Sequence, residues 1–362
     1  GKNAVYGVTY YSVEQNKSRS VIYASTPSTK STATLLTDTS DSEYSPSFIP
    51  GTNKVAYLAA DKEGVTQLWM MDADGSGRKQ ISFETSDVND YLFSPCGKKV
   101  ILVKTVNQES SVQENDTDLK LSTGIVANDL MYKHWDHYTK SAPHPFLADF
   151  DGNKVGESKD LLEGEPYECP MLPFGGVEQL AWSPDSKQIA YTCRKLTGLD
   201  YAISTDSDIY LYDIATGAVK NLCKPEGYVR PKCDPTRSLK DQAVNQFKED
   251  VNAGYDQNPQ FSPDGKYIAW SSMERDGYES DRTRLCIYEF ASGKKTYVTE
   301  SFESGVNEFA WAKDNNTLYF SGVWHGRTNL YQTNLKGEVK QITDEVADYV
   351  LLGVHPDGKQ LL

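Results

Sequence analysis

A polar turn followed by an apolar strand recurs along the chain. Its clearest copies read SPDGKYIAW at 262–270, SPDSKQIAY at 183–191 and SPCGKKVIL at 94–102. Weaker copies begin at Ser47, Ala312 and His355, and GKNAVY at 1–6 aligns with the second half of the pattern. A turn that recurs before an apolar strand predicts a series of similar sheets rather than one compact core.

Each repeat contains further strands after this turn. A strand of alternating apolar residues follows, such as DIYLY at 208–212, and then a tight turn such as ATG at 215–217. A last short strand, such as KQIT at 340–343, closes the repeat. Four antiparallel strands joined by tight turns are typical of one propeller blade. The pattern therefore predicts an all-β protein, a β-propeller of four-stranded antiparallel blades.

The repeats also give the blade bounds. Six of them fall at 1–40, 44–84, 90–165, 177–224, 256–300 and 306–344, and a seventh begins at 348. The first lacks its first strand and the last lacks two strands. Because a propeller protects its edges by closing its ring, we expect residues 1–362 to be a single propeller domain excised from a longer protein with seven blades. The alternative is a six-bladed closure, in which residues after Asp348 fill the vacant strand position of the first blade.

Loop lengths predict which end of the blades carries function. The turns within the repeated motif are uniformly short, whereas the connections at 104–142, 194–207, 223–255 and 272–284 are long. In a propeller these long connections all lie on one face. Long loops on a rigid scaffold are where binding residues usually lie.

Composition excludes some classes of partner. The net charge of -14 argues against nucleic acid, which requires a basic surface, and no apolar run is long enough to span a membrane. The cysteines form no C-x-x-C pair, which argues against a zinc site of that kind. Cys223 and Cys233 flank a short loop and would form a disulfide in an oxidising compartment, although nearby cysteines are often free.

The sequence contains no obvious catalytic motif, cofactor motif or metal site. It has no Gly-x-Ser-x-Gly nucleophile elbow and no phosphate-binding glycine loop. His134, Asp136 and His137 could ligate a divalent cation, but alternation along a strand would separate the two histidines, and we favour an aromatic patch. The segments at 72–76 and 149–153 resemble the start of a calcium loop, but they lack its distant Glu and we interpret them as hairpin turns.

Two acidic segments could bind the ammonium group of a ligand. Glu163, Glu165 and Glu168 precede Cys169, and the alternative for them is a solvated acidic loop. The loop DGYESDR at 276–282 combines carboxylates with a Tyr and an Arg on the elaborated face. The alternative for this loop is an Asp–Arg pair that only orders it.

Four segments together resemble a known family. They are YKHWD at 132–136, PFGGVE at 173–178, STDSDIY at 204–210 and GYESDR at 277–282. With the repeated turns, they resemble the propeller domain of the prolyl oligopeptidase family of serine peptidases, in particular its dipeptidyl-peptidase 5 and acylaminoacyl-peptidase group. The resemblance covers essentially the whole chain. The blade repeat alone is less specific, since TolB-like propellers share it.

The resemblance implies a propeller that covers a separate C-terminal α/β-hydrolase domain, restricts entry to short peptides and recognises their N-terminus. On this basis Trp135, Tyr278, Glu279 and Arg282 are the expected substrate-binding residues, and no catalytic residue carries over. The implied partners are the chain's own catalytic domain, short peptides and a second copy in a homodimer. The implied location is the periplasm or the exterior of a bacterium, with the cytoplasm as the alternative. The rival function is a TolB-like protein-binding scaffold in the periplasm; a glycosidase propeller is a weaker third.

Overall fold

The computed structural model describes residues 3–26, 32–37, 41–108, 110–111, 116, 118–126, 130, 132–135, 140–230 and 251–362. The chain forms two compact units. The first comprises Gly1–Asn107 with Ser141–Glu165, and the second comprises Gln108–Lys140 with Pro166–Leu362. Among the described residues, no helix is both long enough and apolar enough to cross a membrane.

The first unit contains three antiparallel sheets. A three-stranded sheet is formed by β1 (Ala4–Ser12), β2 (Lys17–Ser25) and β3 (Thr34–Leu35). A four-stranded sheet follows with β4 (Glu43–Phe48), β5 (Lys54–Ala60), β6 (Thr66–Asp72) and β7 (Lys79–Gln80). The third sheet combines β8 (Val88–Phe93) and β9 (Lys99–Asn107) with β12 (Ser141–Asp149) and β13 (Lys159–Asp160).

The second unit contains a small hairpin and three four-stranded sheets. The hairpin pairs β10 (Ser110–Ser111) with β11 (Ile125–Val126). The first of these sheets is formed by β14 (Leu180–Trp182), β15 (Gln188–Cys193), β16 (Asp208–Asp213) and β17 (Val219–Asn221). The second is formed by β18 (Asp256–Phe261), β19 (Tyr267–Ser272), β20 (Arg284–Glu289) and β21 (Lys294–Tyr297). The third is formed by β22 (Val306–Trp311), β23 (Thr317–Trp324), β24 (Arg327–Asn334) and β25 (Lys340–Gln341). The helical segments in the described part of this unit are a 3₁₀ turn, Val177–Gln179, and a short α-helix, Gly198–Ile203.

The predicted all-β fold with four-stranded antiparallel blades is confirmed, and the predicted bounds of the blades agree with the sheets. The predicted seventh repeat is a hairpin in which Val354 pairs with Leu361. The copy of the motif expected from Ser47 begins instead at Ile49, where the chain makes the same turn. The total number of blades stays a prediction.

The repeated turn is closed by its own first residue. At Ser262 the backbone N–H donates to the Tyr267 carbonyl (2.9 Å), and the Gly265 N–H donates to the Ser262 carbonyl (2.9 Å). The buried Ser262 Oγ donates to Asp264 (2.8 Å) and accepts the Tyr267 N–H (3.0 Å). Gly265 has a φ of +71°, which a residue without Cβ adopts at little cost. The Ser–Pro–Asp–Gly pattern thus encodes a hydrogen-bonded turn that delivers the chain into the next strand.

Neighbouring sheets within each unit pack through their apolar faces. In the first unit, Leu58 on β5 and Leu102 on β9 belong to one buried cluster. In the second, Leu211 on β16 shares a cluster with Trp270 on β19, and Ile287 on β20 shares another with Phe320 on β23. Because a buried apolar cluster lies between each of these pairs of sheets, the strands are rigid, and the long loops extend from a rigid scaffold.

Candidate functional site

The long loops of the second unit surround a cleft of about 1070 Å³. Its walls come from the segments 132–135, 171–175, 201–205 and 277–280, with Arg194 and Tyr255 between them. Each of the four connections that the sequence marks as elaborated contributes at least one of these residues. A cleft of this size accommodates a short peptide or a similar small molecule.

One wall of the cleft displays two exposed aromatic rings. Trp135 and Phe174 form an edge-to-face pair with ring centroids 5.3 Å apart. Their exposed fractions are 70% and 80%. Gly175, next to Phe174, donates its N–H to the Met171 carbonyl (2.8 Å), and a Cβ at Gly175 would lie only 2.3 Å from that oxygen. The sequence therefore needs glycine at this position to present Phe174.

Another wall of the cleft is a loop ordered by its own ion pair. Arg275 donates to Asp281 Oδ1 (2.8 Å), and Asp281 Oδ2 accepts the Arg275 N–H (2.9 Å). Burial acts to raise the pKa of Asp281, but the hydrogen bonds from Arg275 outweigh it and lower that pKa. Gly277, with a φ of +77°, turns the chain and donates its N–H to Thr205 Oγ1 (3.0 Å). The pair expected to order the loop is present, and the ordered loop carries Tyr278 and Glu279 into the cleft.

The carboxylate of Glu279 is exposed and interacts with the floor of the cleft. Tyr255 directs its hydroxyl toward Glu279 Oε1 at 3.5 Å. Burial raises the pKa of Tyr255; the charge of Arg194 opposes that shift and the charge of Glu279 adds to it. The Arg194 guanidinium lies 3.9 Å above the Tyr201 ring and donates to the Ser204 carbonyl (2.8 Å). Tyr255 thus interacts with a negative group and with a positive one, and both of these groups line the cleft.

Beneath the Trp135 wall lies a buried cluster of three polar side chains. His134 Nε2 is 2.9 Å from both carboxylate oxygens of Glu168, and the Tyr201 hydroxyl donates to Glu168 Oε2 (2.9 Å). All three side chains are less than a tenth exposed. Burial, and next the charge of Glu168, raise the pKa of Tyr201, so this hydroxyl stays protonated as a donor. The cluster fixes the segment that carries Trp135.

The structure brings three of the four expected binding residues together. Trp135, Tyr278 and Glu279 line the same cleft, whereas Arg282 does not. Arg282 instead donates to the Glu300 carboxylate (2.9 Å) and the Phe302 carbonyl (2.9 Å). A substrate-binding role for any of the four stays a prediction.

Other sequence predictions have different outcomes. The Glu168 side chain is buried and its carboxylate is hydrogen-bonded to His134 and Tyr201, so it is neither available to a ligand nor part of a solvated loop. Glu163 is exposed. The segments at 72–76 and 149–153 are turns, in which Asp74 and Asp151 accept backbone N–H groups. Asp136, His137 and Cys233 lie outside the described residues, and with them the proposed metal cluster and the proposed disulfide.

Sequence reasoning missed four residues of the cleft: Phe174, Arg194, Tyr201 and Tyr255. Phe174 lies within the PFGGVE segment, whose aromatic residue between Pro and Gly was a usable signal. Arg194 is the first residue of the long connection 194–207, and Tyr255 is the last residue of the connection 223–255. The ends of long loops, as well as their middles, therefore carry residues of the cleft. No local pattern marks Tyr201, because its role depends on partners 33 and 67 residues away.

A second group of charges is buried beside the cleft-forming loops. The Lys224 ammonium donates to Asp206 (2.9 Å), Asp208 (2.6 Å) and the Asn252 carbonyl. Burial alone would lower the pKa of Lys224, but Asp208 and Asp206 outweigh it and raise that pKa.

Ligand atoms of Asp208, Cys223 and Asp256 lie within 4.8 Å of one another, as they would around a metal ion. Asp208 already binds the Lys224 ammonium, and Asp256 Oδ1 accepts from Trp270 (2.9 Å) and Asn252 (3.0 Å). Lys224 therefore supplies the positive charge that such a group of carboxylates requires, and we interpret the network as structural.

Replacing Asp256 with Asn is expected to make stability less dependent on pH. Burial raises the pKa of Asp256 from 3.8 to about 6, although Lys224 acts to lower it. Between about pH 4 and pH 6 the carboxyl group of Asp256 is protonated in the folded state and ionised in the unfolded state. Its contribution to the free energy of unfolding is therefore fully present below about pH 4 and is lost as pH rises through about 6. In urea unfolding, the free energy of unfolding of the variant relative to that of the native protein should increase by up to about 3 kcal/mol as pH rises across this range. A difference that is constant with pH would contradict this assignment.

Comparison with known proteins places these features in a family. No family model matches the chain. It is 41% identical to dipeptidyl-peptidase 5 of Porphyromonas gingivalis over 271 residues, which are 75% of this chain and 36% of that protein. It is 30% identical to dipeptidyl-peptidase 5 of Aspergillus fumigatus over 264 residues, 67% of this chain and 33% of that protein. The chain thus spans about a third of the length of the curated relatives it matches.

Solved structures share the fold at low sequence identity. The acylaminoacyl peptidase of Pyrococcus horikoshii matches 95% of this chain and 45% of its own, with a TM-score of 0.62 and 15% identity. The β-propeller domain of the Trilobed protease from Pyrococcus furiosus matches 95% of this chain and 83% of its own, with a TM-score of 0.52 and 15% identity. From its sequence relatives and its blades together, the chain is a β-propeller domain of the prolyl oligopeptidase family of serine peptidases, in the group that includes dipeptidyl-peptidase 5.

Proposed function

We propose that this chain is the substrate-gating and N-terminus-recognising domain of a serine exopeptidase that cleaves dipeptides or acyl-amino acids from short peptides. The observation that carries the proposal is that the exposed carboxylate of Glu279 lines the same cleft as the aromatic residues Trp135 and Tyr278. The relatives named dipeptidyl-peptidase 5 support the reaction class.

A dipeptidyl peptidase must measure two residues from a free N-terminus. A carboxylate on a rigid scaffold does this by pairing with the terminal ammonium group, because charge-assisted hydrogen bonds are short and directional. Fixing the amine also orients the scissile bond, which lowers the entropic part of the barrier. An acyl-amino acid has no such charge, so Glu279 favours the dipeptidyl reaction over the acylaminoacyl one.

The sequence does not contain the nucleophile motif expected for this chemistry. No Gly-x-Ser-x-Gly motif occurs in it, and the chain matches only about a third of its relatives' length. We therefore propose that the nucleophile belongs to an α/β-hydrolase domain of the same protein, which the propeller covers. A location in the periplasm or outside the cell belongs to the same proposal.

Reversing the charge of Glu279 tests the proposal. In the full-length protein, Glu279→Lys is expected to raise the Michaelis constant for dipeptidyl substrates by about 10- to 100-fold, the value of a lost hydrogen bond to a charged group. The turnover number should change less, because the substituted group lies away from the reacting bond.

Glu274→Lys is the matched control. Glu274 is an exposed carboxylate in the same loop that does not line the cleft, and it lies 3.6 Å from the Arg284 guanidinium. This control should leave the Michaelis constant within about twofold, because its side chain does not line the cleft. Equal effects of the two substitutions, or none from either, would count against N-terminal recognition at Glu279.

A further inference from the structure

We propose that Trp135 and Phe174 form a side-chain subsite that selects an apolar first residue in the bound peptide. This inference rests on the proposed function, because it assigns a second group of the same ligand. The first residue of a peptide carries its amine and its side chain on one Cα atom. A cleft that is lined by both a carboxylate and an aromatic pair can therefore bind the two groups separately.

The aromatic pair is exposed to a degree that its own packing does not explain. Trp135 and Phe174 contact each other edge to face but leave 70% and 80% of their surfaces uncovered. Leu172, beside them on the same wall, is also exposed. Apolar surface concentrated inside a concave site gains free energy when a ligand covers it, at about 25 cal/mol per Å².

The backbone of Trp135 is held in an unfavourable conformation. Its φ is +54°, in the left-handed region that bulky residues rarely adopt. Such a conformation costs about 1–3 kcal/mol and persists only where the surroundings enforce it. The preceding residue, His134, provides that constraint through its buried hydrogen bonds to Glu168. The buried hydrogen bonds of His134 thus hold Trp135 in a strained backbone conformation while the Trp135 side chain stays exposed. This combination is typical of a residue that binds a ligand.

Phe174 is fixed by a separate set of hydrogen bonds. The Met171 N–H donates to Oε1 of the buried Gln179 (2.7 Å), and the Gly175 N–H returns to the Met171 carbonyl (2.8 Å). These hydrogen bonds fix the backbone on both sides of Phe174. Because both aromatic residues lie on ordered backbone, a ligand side chain would meet a surface that is already formed.

The charges that line the cleft are balanced. Lys133 lies 5.0 Å above the Tyr201 ring and the Arg194 guanidinium lies 3.9 Å from the same ring. The carboxylates of Glu178 and Glu279 belong to the same lining. The selectivity that we infer therefore rests on the apolar surface of the aromatic pair, and it is a preference for Leu or Phe over Gly.

The test compares dipeptidyl substrates that differ only in their first residue. With the full-length protein, the ratio of kcat/KM for a Leu-first substrate to that for a Gly-first substrate should be about 10 or more. Trp135→Ala and Phe174→Ala should each reduce that ratio at least about threefold, whereas Trp135→Phe should retain most of it. Phe83→Ala is the matched control, because Phe83 is an exposed aromatic residue of the other unit that does not line this cleft.

The same substrates separate failure of the subsite from failure of the proposed function. The subsite is overturned if the ratio is unchanged in Trp135→Ala and Phe174→Ala while N-terminal acetylation and Glu279→Lys still impair cleavage. A native preference for Gly-first over Leu-first substrates also overturns it. If neither acetylation nor Glu279→Lys has an effect, recognition of the N-terminus fails and the subsite inference fails with it.

Discussion

Replacing Lys224 with Met is expected to lower the free energy of unfolding of the second unit by about 3–5 kcal/mol, because it removes the ammonium that two buried carboxylates share and leaves only Asp206 with a second cation, Arg230. The Lys224 ammonium is almost fully enclosed and binds Asp206 and Asp208 together. Met preserves much of the volume of the side chain, so the loss reports charge rather than a cavity. Urea unfolding followed by tryptophan fluorescence measures this unit well, since five of the six tryptophans belong to it.

Lys220→Met is the matched control for this prediction. Lys220 is an exposed lysine near Lys224, and it donates to the Tyr288 hydroxyl at 3.0 Å. Its replacement should cost no more than about 1 kcal/mol. Losses of similar size in the two variants would show that the buried network contributes no more than an exposed contact.

Replacing Glu168 with Ala is expected to destabilise the second unit by about 2–3 kcal/mol and to release the segment that carries Trp135. The substitution removes the acceptor shared by His134 and Tyr201 and leaves both polar groups buried. The free energy of unfolding measures the first effect. Limited proteolysis measures the second, through faster cleavage near residues 132–135.

Glu163→Ala is the control, since Glu163 is an exposed carboxylate of the same acidic segment in the sequence. It should change stability by less than about 0.5 kcal/mol. If Glu168→Ala leaves both stability and the rate of proteolysis at native values, the buried cluster does not hold Trp135 in place.

The repeated fold was predictable because its determinants are local. The turn at Ser262 is closed by atoms between Ser262 and Tyr267, so a short pattern contains all of its hydrogen bonds. The strand that follows, Tyr267–Ser272, is a short apolar run bounded by turn residues, which is the pattern of a strand buried on both faces. At Ile49 the serine is missing, and the Thr52 hydroxyl closes the turn instead by donating to the Ile49 carbonyl (2.8 Å) and accepting the Lys54 N–H (3.1 Å). The pattern of residue types is therefore altered there although the turn is kept.

The cleft was predictable only in part. Loop length located the segments that carry Trp135 and Glu279, because elaborated loops stand out against a regular repeat. The partners that position those residues come from distant parts of the chain: Glu168 is 34 residues from His134, and Asp276 binds Ser204 across 72 residues. Such pairs leave no periodic signal, and Glu168 was consequently interpreted as a ligand-binding or solvated residue.

The most direct test of N-terminal recognition is a crystal structure of the full-length protein with a non-hydrolysable short peptide. The account predicts that the peptide amine lies within about 3.2 Å of the Glu279 carboxylate, the range of a hydrogen bond. Its first side chain should contact the Trp135 and Phe174 rings. A peptide whose amine is bound elsewhere, with Glu279 left in solvent, would contradict the central claim.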